Sequence, residues 1–244
     1  MRTRVKFCGM VRPADVDAAV AIGADAIGFV FYPASPRFIE PAEAARLRRR
    51  LPSWVMAVGL FVNEDPAVRD ATAAEVGLDV LQAHGNETAD SLRGLSLPWW
   101  KALRIGGTAP LDDDPVVAAS LSAQGRVPAD PAAIMAACHD FSGADACLLD
   151  SASQGFGGSG RAFDWSMLPP GQGSRLVLAG GLTPETVARA VAEVSPFAVD
   201  VSSGIQGADP RVKDVSRMER FMAAVQRADL DRLQAVAVGR DRNC

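Results

Sequence analysis

The chain has 244 residues, 48% hydrophobic and 22% charged, so it can bury a sizeable core and is not expected to be disordered as a whole. Its formal net charge of -4 argues against a general nucleic-acid binder, which needs a basic surface. No apolar run reaches the roughly 18 residues that span a bilayer, and Met1-Arg2-Thr3-Arg4 leads into a strand with no signal-peptide pattern. Neither membrane nor nucleic acid is an expected partner. The four cysteines, Cys8, Cys138, Cys147 and Cys244, match no zinc spacing, so no metal is expected and free thiols in a reducing cytoplasm fit best.

Residues 4–8, Arg-Val-Lys-Phe-Cys, read as a strand that stops at Gly9. Alternation places Arg4, Lys6 and Cys8 on one face and Val5 and Phe7 on the other. A cation beside a thiol lowers the thiol's pKa, and the thiolate is the reactive form. Cys8 is therefore a candidate for chemistry; the competing reading is a small buried apolar residue.

The spacing predicts a helix over 13–22, a strand over 26–31, a helix over 41–51 and a strand over 55–62. A third helix starts at Asp65-Pro66 and ends at Gly77, before a short strand over 78–82. Gly23-Ala24-Asp25, Gly77-Leu78-Asp79 and Gly143-Ala144-Asp145 form an internal echo: a helix ends at glycine, turns, and enters an apolar run. Further strands are expected over 99–104, 146–150, 176–179 and 198–201, and helices over 184–194 and 214–226. Between strands five and six lies an enlarged connection, with helices expected over 112–123 and 131–139. The charged tail, 228–244, is expected to fray after a barrel spanning 1–227. Strands apolar throughout belong to a parallel sheet covered by helices. Eight of them at this length favour a single α/β domain, a (β/α)8 barrel.

In such a barrel the functional groups sit at the C-terminal strand ends. The expected ends are Cys8 on strand one, Asn63 on three, His84 on four, Asp150 on six, Gly180-Gly181 on seven and Ser202-Ser203-Gly204 on eight. Asp150 shares a face with Ala146 and Leu148 and is a candidate general acid; a helix cap is the alternative. The glycine and serine loops after strands seven and eight suit phosphate, since backbone N–H groups can approach an anion there. Arg37, in the proline-stiffened loop 32–37, suits a carboxylate. His84 alone makes no metal site, and His139 is placed on a surface helix. The run 155–160 matches G-x-G-x-x-G, but four residues separate it from the strand and no second βα unit with an acidic residue follows, so a loop closing over the site is expected instead of a dinucleotide cradle.

Taken together, Val5-Lys6-Phe7-Cys8-Gly9, Gly23 through Phe31, Ser35-Pro36-Arg37-Phe38-Ile39, Val58 through Asn63, Gln82-Ala83-His84-Gly85, Leu148-Leu149-Asp150, Gly157-Gly158-Ser159-Gly160, Phe163-Asp164-Trp165, Leu178 through Leu182 and Pro196 through Gly204 resemble the phosphoribosylanthranilate isomerase family, in family order and across nearly the whole barrel. Val11, Ala83 and Gln206 depart from the residues usual there. The resemblance implies an Amadori rearrangement of a phosphoribosyl anthranilate, without a cofactor, in tryptophan biosynthesis. It also implies Asp150 as general acid, Cys8 as general base, Arg37 for the anthranilate carboxylate, and Gly180, Gly181, Ser202, Ser203 and Gly204 for the phosphate. A monomer or a homodimer would serve. Two alternatives stay open at this point: another phosphosugar enzyme such as indole-glycerol-phosphate synthase, and a barrel that binds a phosphorylated ligand without turnover.

Overall fold

The computed structural model describes residues 2–106, 126–151, 164, 165, 168 and 175–241. The expected helix over 112–123 and the glycine loop over 155–160 lie outside them. Among the described residues nine parallel strands form: β1 (Arg4–Cys8), β2 (Ala26–Val30), β3 (Met56–Phe61), β4 (Val80–Ala83), β5 (Trp99–Ile105), β6 (Arg126–Val127), β7 (Ala146–Ser151), β8 (Leu176–Leu178) and β9 (Ala198–Val201). Eight close into a ring. β1 lies between β2 and β9, with Lys6 opposite both Ala26 and Asp200, and β4 pairs β5 with Leu81 opposite Trp99. The two-residue β6 is a side strand on β5, inside the enlarged connection. This is the (β/α)8 barrel expected of a chain with eight wholly apolar strands.

The helices are α1 (Pro13–Ile22), α2 (Pro41–Arg48), α3 (Pro66–Val76), α4 (Pro131–Asp140), α5 (Val187–Val194) and α6 (Val215–Asp241). Proline opens each of the first four, where its missing N–H costs nothing. Two ends and one start differ from the sequence spacing. α2 stops at Arg48, and 184–186 form a turn in which Thr183 N–H meets the Thr186 hydroxyl at 3.0 Å before α5 begins. α6 does not end at 226: it runs to Asp241, and Asp229 on it is buried, accepting the Thr3 N–H at 2.6 Å and the Thr3 hydroxyl at 2.8 Å. The expected frayed tail therefore begins as helix, anchored to the first strand.

The core divides as alternation requires. Odd-numbered residues such as Val5, Phe7, Ile27, Leu103 and Leu149 face the helices, and Phe7 meets Phe221 of α6 edge-on at 6.2 Å. Inside the ring, Ala26, Val58, Val80, Trp100, Ala102, Leu148 and Val177 fill the bottom. Cys8, Val30, Leu60 and Val62 form a separate layer above them, at the mouth.

Candidate active site

Parity carries the polar groups to the mouth. On β1, β4, β7 and β9 the inward face is the even one, so the inward series ends in Cys8, then His84, Asp150 and Ser202 at or just past the strand ends. A cavity open to solvent is lined there by Cys8, Tyr32, Arg37, His84, Asp150, Asp200, Gly180, Gly181, Ser202 and Ser203 among others. Seven of the eight residues singled out from the sequence thus share one space. The eighth, Gly204, lines an adjoining cleft with Gly181, Ser203, Arg217 and Arg220.

Cys8 lies over Gly28, where an added Cβ would come within 2.7 Å of its sulfur. Below it Lys6 is buried, with its ammonium 2.8 Å from Asp200 Oδ1. Burial opposes the charge on Lys6, but Asp200 and Cys8 outweigh burial and hold its pKa above the ordinary value. The thiol responds the other way from the expectation that Lys6 would lower it. Burial pushes the Cys8 pKa up, Lys6 opposes this, and Asp200 adds to the rise; the net direction is upward. The lysine's charge is already shared with a carboxylate 2.8 Å away, so it cannot offset the loss of water around the sulfur.

Asp150 lies across the mouth on β7. Its Oδ2 is 3.2 Å from His84 Nε2, and His84 Nδ1 is 2.9 Å from the Gln82 amide nitrogen. With the amide donating to Nδ1, the imidazole carries its hydrogen on Nε2 and donates to the carboxylate. Gly180 sits so close that a Cβ there would meet Asp150 Oδ1 at 2.6 Å, and its φ of +74° favours glycine as well. One histidine makes no metal site, and the signal that brings His84 to the mouth is parity: Val80 and Gln82 point inward, so His84 does too. Among the described residues no cluster of metal-ligating side chains occurs. Arg104 follows Trp100 and Ala102 on the inward series of β5 and is hydrogen-bonded to Asn86 Oδ1 at 2.9 Å.

Arg37 reaches the cavity from the loop after β2. Its Nη2 donates to Gln206 Oε1, while its buried Nε has no hydrogen-bond partner among the described residues. Burial lowers its pKa, a cost that an anion in the cavity would offset. On the far side, Gly180 and Gly181 have φ of +74° and +73° and Ser203–Ile205 form a 3-10 turn, leaving glycine backbone and serine hydroxyls at the rim. A thiol, a carboxylate and a rim of glycine backbone and serine hydroxyls at one mouth of a (β/α)8 barrel fit the class of acid–base enzymes that act on small phosphorylated molecules.

Comparison with known proteins narrows that class. A family model described as N-(5'-phosphoribosyl)anthranilate (PRA) isomerase matches residues 5–121 and 118–224. An N-(5'-phosphoribosyl)anthranilate isomerase of Dechloromonas aromatica is 43% identical over 229 residues, 94% of this chain and 99% of the relative. The crystal structure of the Thermotoga maritima isomerase superposes with a TM-score of 0.74 at 34% identity, covering 92% of this chain and 98% of that one. A phosphoribosyl anthranilate isomerase structure in complex with reduced 1-(o-carboxyphenylamino)-1-deoxyribulose 5-phosphate has a TM-score of 0.70 at 33% identity, with the same coverage. The chain belongs to the phosphoribosylanthranilate isomerase family.

Proposed function

We propose that Cys8 and Asp150 are the base and the acid of the isomerisation this family carries out, the Amadori rearrangement of N-(5-phosphoribosyl)anthranilate to 1-(2-carboxyphenylamino)-1-deoxyribulose 5-phosphate in tryptophan biosynthesis. Asp150 gives a proton to the furanose ring oxygen, the bond from that oxygen to C1 breaks, and the anthranilate nitrogen forms a Schiff base with C1. The Cys8 thiolate then takes the proton from C2. The enolamine that results gains a proton at C1 and loses the one on the C2 hydroxyl, giving the ketone. Two protons are added and two removed, so the product is an isomer and no external oxidant or reductant is consumed.

The observation that carries this reading is the shared cavity: a thiol on β1 and a carboxylate on β7 line one space, with Arg37 at one side and the glycine–serine rim at another. A thiol with a raised pKa is a strong base once ionised, which suits abstraction from carbon. His84 orients the acid by donating to Oδ2. Arg37, with an unpaired buried Nε, takes the anthranilate carboxylate, and Gly180, Gly181, Ser202, Ser203 and Gly204 take the phosphate. Among the described residues no helix is long and apolar enough to cross a membrane, and Cys8, Cys138 and Cys147 are free thiols, in keeping with a cytoplasmic enzyme. A solved relative is described as monomers generated from a dimeric isomerase, which is consistent with a monomer or homodimer here.

Steady-state turnover of freshly prepared phosphoribosylanthranilate tests the assignment. Cys8→Ala and Asp150→Ala should each lower kcat by about a hundredfold or more, the usual scale for a general acid or base, with unchanged circular dichroism. A variant that turns over at the parent rate removes that residue from the mechanism.

A further inference from the structure

Lys213 is a buried cation that the mechanism above leaves unused. It stands in the connection before α6, 4% exposed, and does not line the cavity. Its backbone N–H donates to Asp15 Oδ2 at 3.1 Å, and Asp15, on α1, is itself buried. Its ammonium donates to the Ser202 carbonyl at 3.1 Å and the Ser202 hydroxyl at 3.4 Å. The Ser202 hydroxyl in turn donates to the carbonyl of Cys8 at 3.0 Å. A two-bond chain therefore links Lys213 to the main chain of the base.

We infer that Lys213 is a positioning residue for Cys8: its ammonium locks Ser202 against the end of β1 and supplies from behind a positive charge that favours the thiolate. The inference rests on the reading of Cys8 as the base. The charges around Lys213 come from every element packed on it: Arg37 from the loop after β2, Cys8 from β1, Asp200 from β9 and Asp15 from α1. Burial lowers the lysine's pKa, Arg37 lowers it further, and Cys8, Asp200 and Asp15 oppose them, leaving it at about 8. Lys213 in turn lowers the Cys8 pKa, though less than Lys6 does. A buried ammonium held next to a second cation destabilises the fold at neutral pH, and the thiolate form of Cys8, ready to accept the C2 proton, relieves it.

The test is the ionisation of the Cys8 thiol, read as ultraviolet thiolate absorbance against pH in difference from Cys8→Ser, without substrate. Lys213→Arg, which stays charged where Lys213 with its pKa of about 8 has lost its proton, should move the midpoint down by roughly half a pH unit or more, the effect of one nearby charge. By keeping the charge at pH 7 it should also retain most of kcat. Lys213→Met should lower kcat at pH 7 about tenfold with KM changed less. An unmoved midpoint in Lys213→Arg overturns the inference, as does a loss of kcat in Lys213→Arg as large as in Lys213→Met. If Lys213→Met does not fold, the arginine variant alone decides: it must lower the midpoint and keep the rate. Because the midpoint is measured without turnover, a failure of Cys8 as the base shows separately, as an active Cys8→Ala.

Discussion

The Glu87 carboxylate accepts the N–H of Asn63 at 2.8 Å and that of Gly85 at 2.9 Å, and pairs with the Lys101 ammonium at 2.7 Å. One side chain thus holds the loops after β3 and β4, the second of which follows His84. Gly85 has no room for a Cβ, which would come within 2.8 Å of Asn63 N. Burial alone would raise the Glu87 pKa, but Lys101 and the backbone N–H groups of Asn63 and Glu87 itself outweigh it and hold it below the ordinary 4.5. A carboxyl whose pKa is depressed by folding stabilises the fold fully above its unfolded pKa, and that contribution is lost as pH falls through the folded one. Glu87→Gln should therefore cost about 3 kcal/mol at pH 7, since it leaves a buried lysine unpaired, and should narrow the gap to the parent protein as pH drops below 4.5. Urea unfolding across that range checks it; a gap that stays constant down to acid pH would exclude Glu87 as its source. At this scale the sequence showed which residue types stand at the mouth, but not their ionisation. The direction of the Cys8 shift depends on how much water the whole barrel removes from the sulfur.

The three Gly-x-Asp echoes do the same work in three βα units. Asp25 accepts the Val5 N–H at 2.9 Å, Asp79 the Ala57 N–H at 2.7 Å and Asp145 the Trp99 N–H at 3.0 Å. In return the Asp25, Asp79 and Asp145 N–H groups donate to the carbonyls of Val5, Ala57 and Trp99. Each aspartate therefore closes the bottom end of β1, β3 or β5 with a paired clamp, and Arg2 and Arg48 bind the first two carboxylates from outside. Asp79→Ala should strand the buried Ala57 N–H at a cost of about 1–3 kcal/mol, while kcat stays the same because the clamp lies at the end opposite the catalytic mouth. Denaturant midpoints and turnover measured on one preparation decide this; a stability equal to the parent's would show the clamp to be incidental. The echo was legible because it repeats locally. Its partners were not, since each clamp reaches back across a whole helix to the preceding strand.

Closure of the ring rests on contacts between the two ends of the chain. β1 pairs β9, Lys6 meets Asp200, Phe7 packs on Phe221, and Asp229 takes both polar groups of Thr3. Asp229→Ala should lower global stability by about 2 kcal/mol, the scale of hydrogen bonds to a charged group, and should shift the transitions seen by circular dichroism and by tryptophan fluorescence together. A variant in which only the last helix frays, with the fluorescence transition unmoved, would separate α6 from the cooperative unit. Composition and local spacing alone determined the barrel, the kinds and order of its elements, and the parity that points Cys8 and Asp150 inward, because strand alternation and helix punctuation are properties of neighbouring residues. Tertiary structure alone decided that His84 meets Asp150, that Asp200 occupies the lysine beneath the thiol, that Lys213 bonds Ser202, and that α6 continues past 226. Those pairings join residues far apart in the chain, and only closing the ring brings them within hydrogen-bonding distance and out of water.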